Sequence, residues 1–313
     1  MNGLIGKSPE IRAVDVLIER IALTTSHVLI TGEPGTGKER VARAIHAASA
    51  RHDRPFVTMD CHTAAGALLE RHLFGGGVRP DPGLFSLAEG GTLLLDHVTA
   101  LPLGSQEKLG RTIEDGQVWP VGGTAPIVVD VRIMMATSAD LRREVRHGRF
   151  SERLFYRIDA ARVEVSPLRR RPADIPLLAE HFVREINATL ATSCRGLAAD
   201  ALAVLARHRW PGNVRELRDV VERAVVGMER GHTLISETDV VSALRGHAVS
   251  ALRGVARPAG GDAAGEGATL RQARRSFARQ YIRDVLAEVA NDEHEAARRL
   301  GVSVSVLRRT LDD

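Results

Sequence analysis

The chain has 313 residues, 44% of them hydrophobic, which is enough for one large core or two modest ones. No apolar run approaches the ~20 residues a membrane helix needs. The N-terminus lacks the basic-then-apolar pattern of a signal peptide, so a cytoplasmic protein with no membrane partner is expected. The net charge of +4 is too small to argue nucleic-acid binding by itself, and two distant cysteines, Cys61 and Cys194, give no disulfide framework.

In chain order, the apolar run Val28–Thr31 predicts a strand. It leads into Gly32-Glu33-Pro34-Gly35-Thr36-Gly37-Lys38 and then a helical stretch, Glu39–Ala50. Strand, glycine-rich turn and helix are the context that makes such a run a P-loop. Backbone N–H groups of Gly32, Glu33, Gly35, Thr36 and Gly37 would converge on anionic oxygens, aided by the helix N-terminus. Lys38 is expected at the β- and γ-phosphates of ATP. Apart from Lys7, Lys38 and Lys108 every basic residue but histidine is arginine, so a lysine kept at 38 marks a place for a compact ammonium.

Further strands are predicted at Pro55–Met59, Thr92–Asp96, Val129–Ala136 and Arg162–Val165. Helical patterns lie among them at Ala65–His72, Gly104–Glu114 and Leu141–His147. This alternation implies a parallel sheet in an α/β core, residues 1–166. Asp96 ends an apolar strand, where a carboxylate would meet Mg2+. From residue 167 the texture becomes helical. Asp174-Ile175-Pro176 starts one helix, and Ala199–Ala206, Val214–Met228 and Glu237–Leu244 follow, giving a lid over 167–246. Residues 247–269 read as an Ala/Gly/Arg-rich flexible linker and 270–313 as a final helical unit.

Several blocks together resemble the AAA+ domain of the sigma-54 activators, bacterial enhancer-binding proteins of NtrC type. They are Leu4-Ile5-Gly6-Lys7-Ser8-Pro9, the P-loop with Glu39, Glu89-Gly90-Gly91-Thr92-Leu93-Leu94-Leu95-Asp96, Val131-Arg132-Ile133, Pro167-Leu168-Arg169 with Asp174-Ile175-Pro176, and Trp210-Pro211-Gly212-Asn213-Val214-Arg215-Glu216-Leu217. The tail resembles a Fis-type helix-turn-helix. No receiver or other sensory domain precedes Leu4 in this sequence. The resemblance implies an AAA+ P-loop core, a helical lid and a DNA-binding end. It also implies ATP and Mg2+ as cofactors, and DNA and RNA polymerase as partners.

The same resemblance assigns roles and exposes departures. Glu39 stands where the general motif has Ser or Thr near the metal, as is usual in this family. Arg215 matches a lid arginine that reads the nucleotide phosphates. His97 replaces the glutamate that polarises the attacking water. Asp60 replaces the asparagine restraining that glutamate, Ser138 a sensor asparagine, and Ser151 the first of two arginine fingers. Arg157 is the second finger or a plain surface arginine. Leu73-Phe74-Gly75 is followed by the short Gly76–Pro82 segment instead of the Gly-Ala-Phe-Thr-Gly-Ala loop that meets sigma-54. In the tail, Ser303, Ser305, Arg308 and Arg309 are the candidate DNA contacts, with a helical dimerisation module as the alternative. Three functional readings follow. One is a DNA-binding regulator in which ATP binding drives assembly of an oligomer and hydrolysis is weak. The others are a working sigma-54 ATPase and a non-catalytic subunit of a ring with a related protein.

Overall fold

A computed structural model describes residues 4–63, 66–76, 82–228 and 232–255. Helix α1 (Pro9–Ala22) begins at Ser8, whose Oγ accepts the Ile11 N–H, and Pro9 occupies the first turn, where its missing N–H costs nothing. Strand β1 (Val28–Thr31) runs through the glycine turn into α2 (Lys38–Ala47). Then come β2 (Phe56–Asp60), α3 (Gly66–Phe74), α4 (Gly83–Leu87) and β3 (Thr92–Asp96). Helix α5 (Leu103–Asp115) precedes a small hairpin, β4 (Gln117–Val118) and β5 (Ile127–Val128). Strand β6 (Arg132–Thr137), α6 (Leu141–Arg146), α7 (Glu152–Ile158) and β7 (Arg162–Glu164) close the core.

Five of these strands form one parallel sheet in the order β2-β3-β6-β1-β7. Side chains alternate across it. Leu29, Leu93, Leu95, Ile133 and Met135 face one way, into a cluster with Leu69, Leu109 and Leu154 from α3, α5 and α7. Val28, Ile30, Leu94, Met134 and Val163 face the other way, against Val14 and Ile18 of α1 and Val41 and Ile45 of α2. Burial on both faces explains the unbroken apolar runs. The P-loop leaves the C-terminal end of β1, the sheet edge where α/β folds bind ligands.

The expected strand Val129–Ala136 divides. Val129–Val131 precedes the sheet, because pairing with β3 begins only at Arg132 opposite Thr92. Ile127 and Val128 pair instead with β4. The buried Arg132 is anchored at the strand start by donating to the Ser26 and Ile21 carbonyls, at 3.1 and 2.8 Å.

The lid contains α8 (Ile175–Leu190), the short strand β8 (Gly196–Leu197), α9 (Ala199–Arg207), α10 (Asn213–Gly227), β9 (Leu234–Ile235) and α11 (Glu237–Val255). Its core centres on Trp210, fully buried, whose indole N–H donates to the Leu205 carbonyl at 2.9 Å. Asp174 precedes α8 as expected, but its carboxylate does not cap that helix. It accepts the Lys7 and Ser8 N–H groups and the Ser8 hydroxyl, at 2.7, 2.8 and 2.7 Å, and so ties the N-terminal segment to the lid. Helix α11 continues past His247, where the linker was expected, to Val255. The expected remainder of the linker and the helix-turn-helix tail, with Ser303, Ser305, Arg308 and Arg309, lie outside the described residues, as do 77–81 of the short segment after Gly75.

Candidate nucleotide site

The glycine turn is fixed by sterics. Gly35 and Gly37 have φ of 75° and 98°, a region that disfavours any side chain. A Cβ on Gly35 would lie 2.2 Å from the Gly212 carbonyl oxygen, and one on Gly32 would lie 2.6 Å from that of Val165. The loop also bonds to itself. Thr36 Oγ1 donates to the Glu33 carbonyl at 2.8 Å, and Lys38 Nζ donates to the Gly32 and Glu33 carbonyls at 3.0 and 3.1 Å. Lys38 is buried at the first residue of α2. Burial pushes its pKa below the usual lysine range; Asp96 pulls it back up and Arg215 opposes that.

The lid grips this loop. The Gly35 carbonyl accepts the Val214 and Arg215 N–H groups at 2.9 and 3.2 Å. Asn213, fully buried at φ 55°, accepts the Leu168 N–H at 2.8 Å and donates to the Pro34 carbonyl at 3.0 Å. The Arg171 guanidinium donates to the Thr36 carbonyl at 3.0 Å. Glu33 turns away from the loop interior. Its carboxylate takes a two-pronged bond from Arg169, at 2.6 and 2.5 Å, and a third from Asn213 at 3.2 Å. Arg169 and then Asn213 hold its pKa down at about 2.

Two adjoining cavities open beside the loop. One, of about 280 Å³, is polar: Lys38, Arg40, Arg215 and Arg218 face Asp96 and His97 across it. The other, of about 40 Å³, is walled by Leu4, Ile5, Leu178, Phe182 and Val214. Gly37, Arg40, Phe182 and Val214 line both. A charged compartment beside an apolar slot offers the two kinds of surface that phosphates and a base need, although at about 40 Å³ the slot must widen to take a whole base. The glycine cradle, the buried ammonium and the Asp96 carboxylate are the donor set such a ligand and its metal need. Glu39 lines the polar cavity while its carboxylate accepts from Arg43 at 2.7 Å, one turn along α2.

The far wall is made of side chains. The β2–β3 register sets Asp60 opposite Asp96. The next residue, His97, takes a left-handed conformation (φ 54°, ψ 42°), and its N–H donates to Asp96 Oδ1 at 2.8 Å. The His97 Nδ1 lies 3.1 Å from Asp60 Oδ1, which also accepts the His62 N–H at 2.9 Å. Burial raises the Asp60 pKa, but the His62 N–H and the His97 ring outweigh it and hold the carboxylate below its usual range. Ser138 follows the end of β6, exposed. Ser151 caps α7, accepting the Leu154 N–H at 3.4 Å. That helix carries Arg153 and Arg157 one turn apart, and both guanidinium groups pair with Glu114; Arg157 does so at 2.5 Å.

Residues 4–164 match the sigma-54 interaction domain, and residues 169–254 match an AAA+ ATPase lid domain. The chain belongs to the sigma-54 activator family. It is 38% identical over 335 residues to the response regulator protein FleR of Pseudomonas aeruginosa, covering 99% of this chain and 70% of that one. It is also 38% identical over 316 residues to the transcriptional regulatory protein ZraR of Salmonella typhimurium, covering 99% and 67%. Among solved structures, NtrX from Brucella abortus in complex with ATP superposes with a TM-score of 0.72 at 34% identity, covering 99% of this chain and 68% of that one. Among the described residues, no helix is long and apolar enough to cross a membrane.

In this member of the family, Gly35, Gly37, Lys38, Glu39, Asp96 and Arg215 line one cleft, Thr36 lines the adjoining apolar slot, and the Gly32 carbonyl accepts from Lys38. Glu33 belongs to the same loop but serves the lid. Arg157 is engaged elsewhere on its own chain. The apolar walls of the slot were not singled out from sequence as site residues. Leu4, Ile5 and Val214 stand in blocks that carry the family resemblance, and Leu178 and Phe182 fall within the expected lid.

Proposed function

We propose that the chain is an ATP-binding transcription regulator in which nucleotide occupancy matters more than cleavage. The observation that carries this is the contrast across one cleft: a sterically determined cradle with Lys38 and Arg215 on one side, and His97 in place of a carboxylate on the other. In this reading the loop amides and Lys38 hold the triphosphate. Asp96 and Glu39 flank the metal, and the apolar slot takes the base. Bound Mg2+ would neutralise charge between the phosphates. Arg215 and Arg218 from α10 link occupancy to lid position, and a lid closed on nucleotide favours an oligomer by mass action. Arg157 would serve a neighbouring subunit only after leaving Glu114. The tail would supply DNA contacts through Ser303, Ser305, Arg308 and Arg309. The short Gly76–Pro82 sequence argues against the usual contact with sigma-54.

A second reading has specific support. The Asp60–His97 bond orients the imidazole as a carboxylate orients a general base, so a slow hydrolase is the alternative. Parallel measurement of ATP affinity and phosphate release separates the two. Binding below millimolar with no measurable turnover is expected, together with a gain of about 10²–10⁴-fold in turnover for His97→Glu. Brisk turnover by the unaltered chain refutes the occupancy reading.

A further inference from the structure

Asp60, His62 and His97 each offer a ligand atom, and these atoms all lie within 4.8 Å of one another. From this geometry we infer a binding site for a zinc-class divalent ion at the rim of the cleft, beside Asp96 but separate from the Mg2+ position. The site is assembled by backbone register. Asp60 ends β2, and His62 follows it by two residues. Because Asp60 pairs with Asp96, His97 is delivered from the end of β3 to the same point. The His62 and His97 rings lie with centroids 4.5 Å apart.

The distances suit a small ion. Ligand atoms around a tetrahedral zinc with bonds of ~2.0–2.1 Å sit about 3.3 Å apart. His97 Nδ1 is 3.1 Å from Asp60 Oδ1, and His62 Nδ1 is 3.7 Å from the same oxygen. The His62 side chain is 63% exposed, so a small ring movement closes the remaining gap. Half-open surroundings also leave room for a water as fourth ligand.

The donor set decides the class of ion. Two imidazoles and one carboxylate favour zinc, cobalt, nickel or copper over magnesium, which prefers oxygen ligands in an octahedron. The turn alone does not account for the arrangement. An Asx-type bond from the His62 N–H explains Asp60, but it needs no imidazole at 62 and none at 97. Asp96 Oδ1 lies 3.8 Å from His97 Nδ1, so an ion here shares a wall with the nucleotide cleft. It would also occupy the His97 nitrogen that faces Asp60 and leave the ring proton on Nε2, so the imidazole could not take a proton from water.

The test is zinc titration calorimetry on the purified full chain with millimolar Mg2+ present, and cobalt substitution followed by visible absorption. One ion per chain is expected, with a cobalt spectrum of low-coordinate type. His62→Ala should weaken zinc binding at least tenfold, and Asp60→Asn should do the same, while His181→Ala changes nothing. ATP affinity, measured on each variant, should survive His62→Ala, which reports that the cleft is folded and keeps this test independent of the nucleotide reading. Zinc affinity unchanged in both His62→Ala and Asp60→Asn overturns the site, as does a cobalt spectrum indifferent to those changes.

Discussion

The two sides of the cleft are built in different ways. The cradle is made of backbone: left-handed glycines, carbonyls capped by Lys38, and a lid whose α10 N–H groups bond to the Gly35 carbonyl. Almost any side chain added at Gly35 would strike the lid. The opposite rim is made of side chains on the ends of β2 and β3, and Asp60 and His62 there are exposed. A site written in backbone geometry resists substitution because each change disturbs packing. A site written in exposed side chains changes one residue at a time at little cost to the fold.

Lys38→Met is the sharpest way to break the cradle. The substitution keeps the aliphatic stem and removes the charge. Hydrogen bonds to charged groups are worth roughly 1.5–3 kcal/mol, so ATP affinity should fall about 10–100-fold. A fluorescent-nucleotide titration checks it. His97→Glu in the same assay should leave affinity within a few-fold. Equal losses from both would mean that the two sides are not separable.

The uneven legibility of the sequence has the same origin. The cradle was readable because glycine, proline and lysine at fixed spacing each meet a backbone demand. Strands β1 and β3 were readable because burial on both faces leaves unbroken apolar runs, and β7 because buried Val163 and Val165 alternate with exposed Arg162 and Glu164. Helix α1 was not read, although Ser8-Pro9-Glu10 is an N-terminal signature and Ile11, Val14, Ile18 and Ala22 share one face. Strand β6 was drawn too early because Val129 and Val131 are apolar, and only register with β3 fixes its start at Arg132. The apolar slot and the Asp60–His62–His97 group join residues far apart in the chain. No local pattern reveals them, since both depend on which strand ends and lid helices meet.

Asn213→Ala tests how far the lid belongs to the cradle. The buried amide satisfies the Leu168 N–H and the Pro34 carbonyl, and both lose a partner when it is removed. Leaving buried groups unsatisfied costs about 1–3 kcal/mol, and alanine at φ 55° adds roughly 1–2 kcal/mol. Urea unfolding should show a loss in that range, and ATP affinity should drop with it. Asn213→Gly restores the backbone conformation without the bonds, so it should recover only the smaller part.

The smallest effect expected is a pH dependence of the same junction. Glu33, paired with Arg169, has its pKa lowered from 4.5 to about 2 in the folded chain. Above 4.5 the carboxylate is ionised whether the chain is folded or not, and the pair contributes fully. As the pH falls from 4.5 toward 2, the unfolded chain takes up the proton first, so the contribution shrinks and is gone below about 2. The Glu33 side chain is 39% exposed, so solvent screening limits the gain to about 1 kcal/mol or less, a few degrees in Tm at most. The Tm gap between the unaltered chain and Glu33→Gln should therefore be small at pH 7, shrink steadily below pH 4.5, and narrow with added salt at any pH. A gap that stays constant from pH 7 to pH 3 would mean that Glu33 holds the lid by shape alone, and that the charge on this arm of the cradle is incidental.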